Sequence, residues 1–206
     1  IEVFSLSNPE AFGRTSRIQR HLRAMARPMG MEYTWVLETA SMLSQIGTVT
    51  MSEDVLRKKY GGEPLTSQEE QLFDQYPQIG ADLLESIPRM EDIGKIIRFQ
   101  EKRFDGMGPP TDVSCVGRSI PLESRMLKVV LDFDTLEVSG MDIEGAFNEL
   151  QEREGWYDPV ILDALKQTFE KEKTYTVMDL SLEALTSDMI LAEGVRDDKG
   201  KIIVTK

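Results

Sequence analysis

Apolar residues recur at helical spacing through most of the first 170 positions. Over 8–27, Ile18, Leu22 and Met25 stand at i, i+4 and i+7, which puts them on one helical face. Ser7-Asn8-Pro9-Glu10 supplies capping residues, a first-turn proline and an early carboxylate, and Pro28-Met29-Gly30 supplies a stop. The same reasoning predicts helices over 32–46, carrying Trp35, Val36, Met42 and Leu43 and ended by Gly47, over 52–60 and over 90–104. Thr66-Ser67-Gln68-Glu69 is a capping signature for a longer helix reaching about 87, bent around Pro77 and Gly80. Helices over 121–137, 141–154 and 158–171 complete the set, with Met126, Leu127, Val130, Leu131 and Phe133 marking the first as largely buried. The period then shortens: 175–178 and 189–192 read as strands, and 195–204 as a hairpin with a glycine-containing turn. The expected organisation is a helical domain over 1–173 and a small strand and hairpin appendage over 174–206, too short to hold a core alone.

Composition narrows the function classes. A chain of 206 residues, 40% apolar and 29% charged, has the make-up of an ordinary globular protein. No apolar run approaches the roughly 20 residues needed to span a bilayer. A single cysteine, Cys115, excludes an internal disulfide and fits a cytoplasmic location. The start at Ile1, without methionine or a signal-like segment, suggests a piece of a longer modular protein. A net charge of −12 repels phosphate backbones at long range, which argues against general nucleic-acid binding. His21 is the only histidine, so a histidine-rich metal centre is excluded. Against the acidic background, Arg20, Arg23 and Arg27, with Arg17 at the edge, form a ridge opposite the Ile18 stripe, while Arg14 falls inward. The ridge reads as a salt-bridged face or as a docking face for a neighbouring domain or an anionic ligand.

Several segments in register resemble the HD-GYP family of metal-dependent phosphohydrolases. They are Arg14-Thr15-Ser16-Arg17-Ile18, Leu43-Ser44-Gln45-Ile46-Gly47, Tyr76-Pro77-Gln78-Ile79-Gly80-Ala81, Arg103 to Pro110, and Ile120-Pro121-Leu122 running to Leu136. The resemblance implies an all-α bundle, a two- or three-metal centre and hydrolysis of cyclic di-GMP. It also implies that ligand positions have changed. Arg14 stands where the family has its first histidine, Ser44 and Gln45 where it has its His-Asp pair, and Thr48 at the lysine that follows. Tyr76, Gln100 and Glu101 stand at further histidines, Leu131 at the later aspartate and Pro109 at the tyrosine of the signature. The loop frame is kept in Asp105, Gly106, Met107, Gly108 and Pro110. Residues 182–202 are similar to a short module attached to such regulators, in which a receiver domain commonly precedes the helical output domain.

The chemistry of these residue types points the same way. Polynuclear hydrolysis uses imidazoles and carboxylates to hold metals roughly 3.5–4 Å apart, and Ser, Gln, Tyr, Arg and Leu do not supply them. An oxygen-only Mg site from Glu101, Asp105, Asp132 or Asp134 is the competing reading, with Asp105 as a mere turn former the plainer one. Cys115 has no histidine to activate it. Tyr76, Leu131 and Phe99 are bulky enough to fill a vacated site. The resulting expectation is a mainly α, HD-domain-like signalling output domain that is not an enzyme and holds no metal or cofactor. It would act through a signalling partner, its own upstream receiver domain or a second copy, using the arginine ridge and the 105–110 loop. The alternatives are a non-hydrolysing cyclic di-GMP receptor contacting phosphate through Arg14, Arg17 and Arg98, and a phosphodiesterase with an unusual metal site.

Overall fold

Helix starts along the chain are set by short polar side chains that take up otherwise unpaired backbone donors. Thr34 accepts from Leu37 N at 3.3 Å, Ser52 from Val55 N at 3.4 Å and Asp142 from Gly145 N at 2.8 Å. Thr66 and Glu69 cap each other reciprocally. The computed structural model describes residues 9–172, 195–196 and 202–204. Its helices are α1 (Pro9–Ala26), α2 (Trp35–Leu43), α3 (Glu53–Tyr60), α4 (Ser67–Phe73), α5 (Tyr76–Glu85), α6 (Glu91–Arg98), α7 (Leu122–Val138), α8 (Ile143–Glu152) and α9 (Pro159–Glu172), with 3-10 turns at Ile46–Thr50 and Gly117–Ser119. The fold is mainly helical, and among the described residues no helix is long and apolar enough to cross a membrane.

The chain divides into two compact units, Ile1–Glu170 and Lys171–Lys206. In the first, α7 is the axis. Met126, Leu127, Val129, Val130, Leu131 and Phe133 are all buried along it, so it presents apolar surface in nearly every direction. Helix α1 lays Ile18, Leu22 and Met25 against this axis and also packs on α2, while α8 closes the far side. Helices α5 and α6 pair closely, and the 3-10 turn joins α5. That last contact depends on glycine: a Cβ on Gly47 would stand 1.9 Å from Tyr76 O and 2.8 Å from Gly80 N. A second, smaller core of Met51, Leu56, Tyr60, Phe73 and Tyr76 sits where α3, α4 and α5 meet.

Several expected boundaries move. The helix over 32–46 ends at Leu43, and the backbone tightens into a 3-10 turn that carries Gly47 into contact with α5. The long helix over 66–87 is two helices, because Pro77 begins a new helix near its N-terminus instead of bending one. The helix over 90–104 stops at Arg98, after which the chain turns so that Gln100, Glu101 and Lys102 point inward. Trp35 is exposed, not a core residue. In the second unit, Val195–Arg196 and Ile202–Val204 pair antiparallel. The expected turn between them, the strands at 175–178 and 189–192, and the Ser7-Asn8 cap lie outside the described residues, so the helical unit alone carries the fold class.

Candidate functional site

A buried polar centre lies where α1, α2, α5, α7 and the segment after α6 converge. Each side chain reaches it because its element is pinned by core packing on the opposite face. Glu101, just beyond α6, accepts a hydrogen bond from Tyr76 Oη at 2.6 Å and another from Lys128 Nζ at 2.8 Å. The same ammonium donates to Asp132 Oδ1 at 3.0 Å, and Tyr157 Oη donates to Asp132 Oδ2 at 2.6 Å. Arg153 lies 3.8 Å from that carboxylate and, with Arg103 and Lys128, surrounds the Trp156 ring.

Electrostatics hold these groups in fixed protonation states. Burial pushes the Tyr76 phenol well above its ordinary range, and the neighbouring Glu101 carboxylate pushes the same way, so Tyr76 stays a neutral donor. Tyr157 is raised by burial and then by Asp132. Burial opposes the charge on Lys128, but Asp132 and Glu101 outweigh it and keep the ammonium protonated.

The other positions singled out in the sequence surround this cluster. Ser44 donates to Ser41 O, Gln100 Nε2 donates to Ser44 O at 2.9 Å, and Tyr60 Oη donates to Gln45 Oε1 at 2.9 Å. Arg14 Nη2 donates to Leu131 O and to Thr135 Oγ1, both at 3.0 Å, and its guanidinium lies 4.2 Å from the centre of the Tyr60 ring. Leu131 and Tyr76 are fully buried, and Phe99 is buried too. Asp134, itself buried, takes Arg17 Nε at 2.5 Å and Arg14 Nε at 3.3 Å. The loop after Glu101 is tied down from inside: Lys102 Nζ donates to Pro110 O at 2.7 Å and Gly108 O at 3.1 Å. Asp105 accepts from Met107 N at 2.9 Å and pairs with Arg103, while a Cβ on Gly108 would meet Glu101 O at 2.8 Å. Met107 projects outward, and the 109–110 bond is cis.

Three expectations are corrected by these placements. The four carboxylates offered as an oxygen-only Mg site do not converge: Asp134 belongs to Arg14 and Arg17, Asp105 belongs to the loop, and Glu101 and Asp132 share Lys128. Arg14, Arg17 and Arg98 do not form one phosphate site. The first two line a cavity of about 380 Å³ with Arg57, Tyr60, Asp134 and Thr135, whereas Arg98 pairs with Asp112 in a separate cavity of about 640 Å³ beside Pro109 and Pro110. The arginine ridge is not uniform either. Arg17 turns to Asp134 and Arg23 to Glu38, while Arg20 and Arg27 are exposed. His21, the only histidine, is buried against Phe133 and lies 3.0 Å from Glu137.

Sequence reasoning missed Lys128, Tyr60 and Tyr157. Lys128 had a signal, a lone charge between Leu127 and Val129 in an otherwise apolar stretch of α7. The tyrosines had none, since each is brought in from a distant segment. A polynuclear metal centre of the kind the resemblance implies does not fit these residues. Among the described residues no group of three or more His, Cys, Asp or Glu could hold a metal ion, and the central carboxylates are engaged by Lys128.

The comparisons with known proteins agree on the fold. The cyclic di-GMP phosphodiesterase response regulator RpfG of Xanthomonas campestris pv. campestris is 32% identical over 152 residues, 68% of this chain and 39% of its own length. The 3'3'-cGAMP-specific phosphodiesterase 3 of Vibrio cholerae serotype O1 is 28% identical over 95 residues, 46% of this chain and 20% of its own. The chain therefore spans well under half the length of these relatives. Among solved structures, Bd1817, an HDG"Y"P protein from Bdellovibrio bacteriovorus, superposes with a TM-score of 0.66 at 14% identity, over 77% of this chain and 52% of that one. The L. monocytogenes phosphodiesterase PgpH HD domain, in complex with cyclic-di-AMP, superposes with a TM-score of 0.55 at 15% identity, over 85% of this chain and 97% of that one. These relatives overturn the expectation that the chain is not an enzyme: both curated matches are phosphodiesterases. The reason is physical as well. Replaced ligands bear on one metal-based route, not on catalysis as such. The HD domain profile matches residues 1–161, and the chain belongs to the HD domain family.

Proposed function

We propose that this domain serves cyclic-nucleotide signalling by engaging a cyclic dinucleotide in the cavity lined by Arg14, Arg17, Arg57 and Tyr60. The observation that carries this reading is the local charge balance. That cavity is lined by three guanidiniums and one carboxylate, Asp134, on a protein of net charge −12. Asp134 is shared by Arg14 and Arg17, while Arg57 pairs with Asp54 and Glu63, which are not part of the lining. A dinucleotide brings two phosphates, which suit guanidinium forks, and two bases, which suit an aromatic wall such as Tyr60. The cavity beside Pro109 sets Arg98 against Asp74 and Asp112, a balance that disfavours an anion. The names of the relatives, which specify cyclic di-GMP and 3'3'-cGAMP, support the ligand class.

Calorimetry with cyclic di-GMP, 3'3'-cGAMP and cyclic di-AMP tests the reading, with chromatography of the same samples for linear product. Loss of one charge-assisted contact in Arg17→Ala is expected to weaken binding by roughly 10- to 100-fold, while Arg98→Ala leaves it unchanged. Absence of binding to all three dinucleotides, or equal binding by Arg17→Ala, overturns it.

A second reading, docking of an acidic protein face such as that of an upstream receiver domain, is supported by Arg20 and Arg27, both exposed on α1. Arg20→Glu/Arg27→Glu is expected to abolish crosslinking to that partner without altering dinucleotide binding, and unchanged crosslinking removes it.

A further inference from the structure

Lys128 is a buried ammonium with two carboxylate partners, contributed by different parts of the chain. Glu101 Oε2 lies 2.8 Å away and Asp132 2.9 Å away, and Lys128 is 6% exposed. Tyr76 holds the other oxygen of Glu101, Oε1, and Tyr157 donates to Asp132 Oδ2, the oxygen that also faces Lys128, both at 2.6 Å. Arg153 stands at the rim, 3.8 Å from Asp132. Two partly buried carboxylates that meet at the same nitrogen are held together by its charge, because like charges shielded from water repel strongly. A divalent ion would do the same by drawing the oxygens in to about 2.1 Å. Here a nitrogen on α7 does it, with hydrogen bonds in place of coordination.

We propose that Lys128 is the resident cation of this centre, neutralising Glu101 and Asp132 in place of a metal ion, and that these carboxylates form a divalent-cation site only when Lys128 is removed. The four-residue spacing of Lys128 and Asp132 puts the cation and one anion on the same face of α7, so the charge is built into the helix. Glu101 is delivered by the turn after Arg98 and locked by Tyr76, which fixes the site whether or not any ion is in solution.

The test compares the intact chain with Lys128→Met and with Lys128→Met/Glu101→Gln/Asp132→Asn, using thermal unfolding and Mn²⁺ binding followed by electron paramagnetic resonance. The intact chain is expected to bind no stoichiometric Mn²⁺ and to show no Tm change with it. Lys128→Met is expected to lose roughly 10 °C in Tm or to fail to fold without metal, and Mn²⁺ restores part of the loss with one ion bound per chain. The triple variant is expected to fold, to unfold above Lys128→Met and to ignore Mn²⁺. Stoichiometric Mn²⁺ on the intact chain overturns the proposal, as does failure of Mn²⁺ to bind or rescue Lys128→Met. If Lys128→Met never folds, a triple variant that folds supports the charge role, and one equally destabilised shows that Lys128 acts through packing and overturns it.

Discussion

Tyr76 on α5 donates its hydroxyl to Glu101 Oε1 at 2.6 Å, directly across the carboxylate from Lys128 Nζ. The bond joins two segments 25 residues apart and closes the polar centre on the side of the smaller core. Tyr76→Phe keeps the buried ring and deletes only this donor. A hydrogen bond to a charged group contributes about 1.5–3 kcal/mol, and the urea midpoint of Tyr76→Phe is expected to fall accordingly, with the slope unchanged.

Asp134 is the shared anion of Arg14 and Arg17 and is almost wholly buried. Asp134→Ala leaves two guanidiniums facing each other, and removing one partner of a buried pair costs about 3–5 kcal/mol. Arg17→Ala is expected to cost much less, on the order of 1 kcal/mol, because Arg17 is partly exposed and water screens its charge. Denaturant unfolding of the two variants side by side checks the ordering.

Gly47 and Gly30 differ in what surrounds them. A methyl at Gly47 would enter the backbone of α5, 1.9 Å from Tyr76 O, while Gly30 has a φ of +65° and open space around it. Gly47→Ala is expected to exceed the roughly 1–3 kcal/mol of ordinary overpacking and to yield little folded protein. Gly30→Ala is expected to cost about 1 kcal/mol of left-handed strain. Circular dichroism and soluble yield separate the two.

Glu69 is held at a pKa of about 2 by the Lys58 ammonium first and by the Thr66 backbone N–H next. Its folded value is below its unfolded one, so the stabilisation is complete above about pH 4.5 and disappears as the pH falls toward 2. The difference in urea midpoint between the native chain and Glu69→Gln is expected to shrink across that window. Lys58→Ala is expected to flatten the dependence, and 1 M salt to weaken it.

Lys102 bridges Gly108 O and Pro110 O from beneath the loop. Lys102→Met preserves the buried stem and removes the crosslink. Hydrogen exchange at the amides of 105–108 and 111–112 is expected to speed up, while amides of α7 stay protected.

Much of the helical unit was legible because its local signals are strong. The Thr66–Glu69 box and the Ile18, Leu22, Met25 stripe each act through neighbours within two turns. The break before Tyr76 was not, because Pro77 is equally compatible with a bent helix and with a fresh start. Nor was the inward turn after Arg98, where Ser44 O, Tyr76 and Lys128 supply partners that no local spacing reveals.

Read alone, the order of residues determined the helical periodicity, the apolar axis over 121–137, the loop frame of Asp105, Gly106 and Gly108, and the family to which the chain belongs. It also determined which side chains were available, including one histidine and many carboxylates. Tertiary structure decided how those charges were paired. It set Asp134 against two arginines, placed Lys128 between Glu101 and Asp132, and separated Arg98 from Arg14. Helix caps and stripes are short-range and repeat with a known period. Buried ion pairs join residues far apart in the chain, and their cost or gain depends on a burial that exists only once the helices have packed.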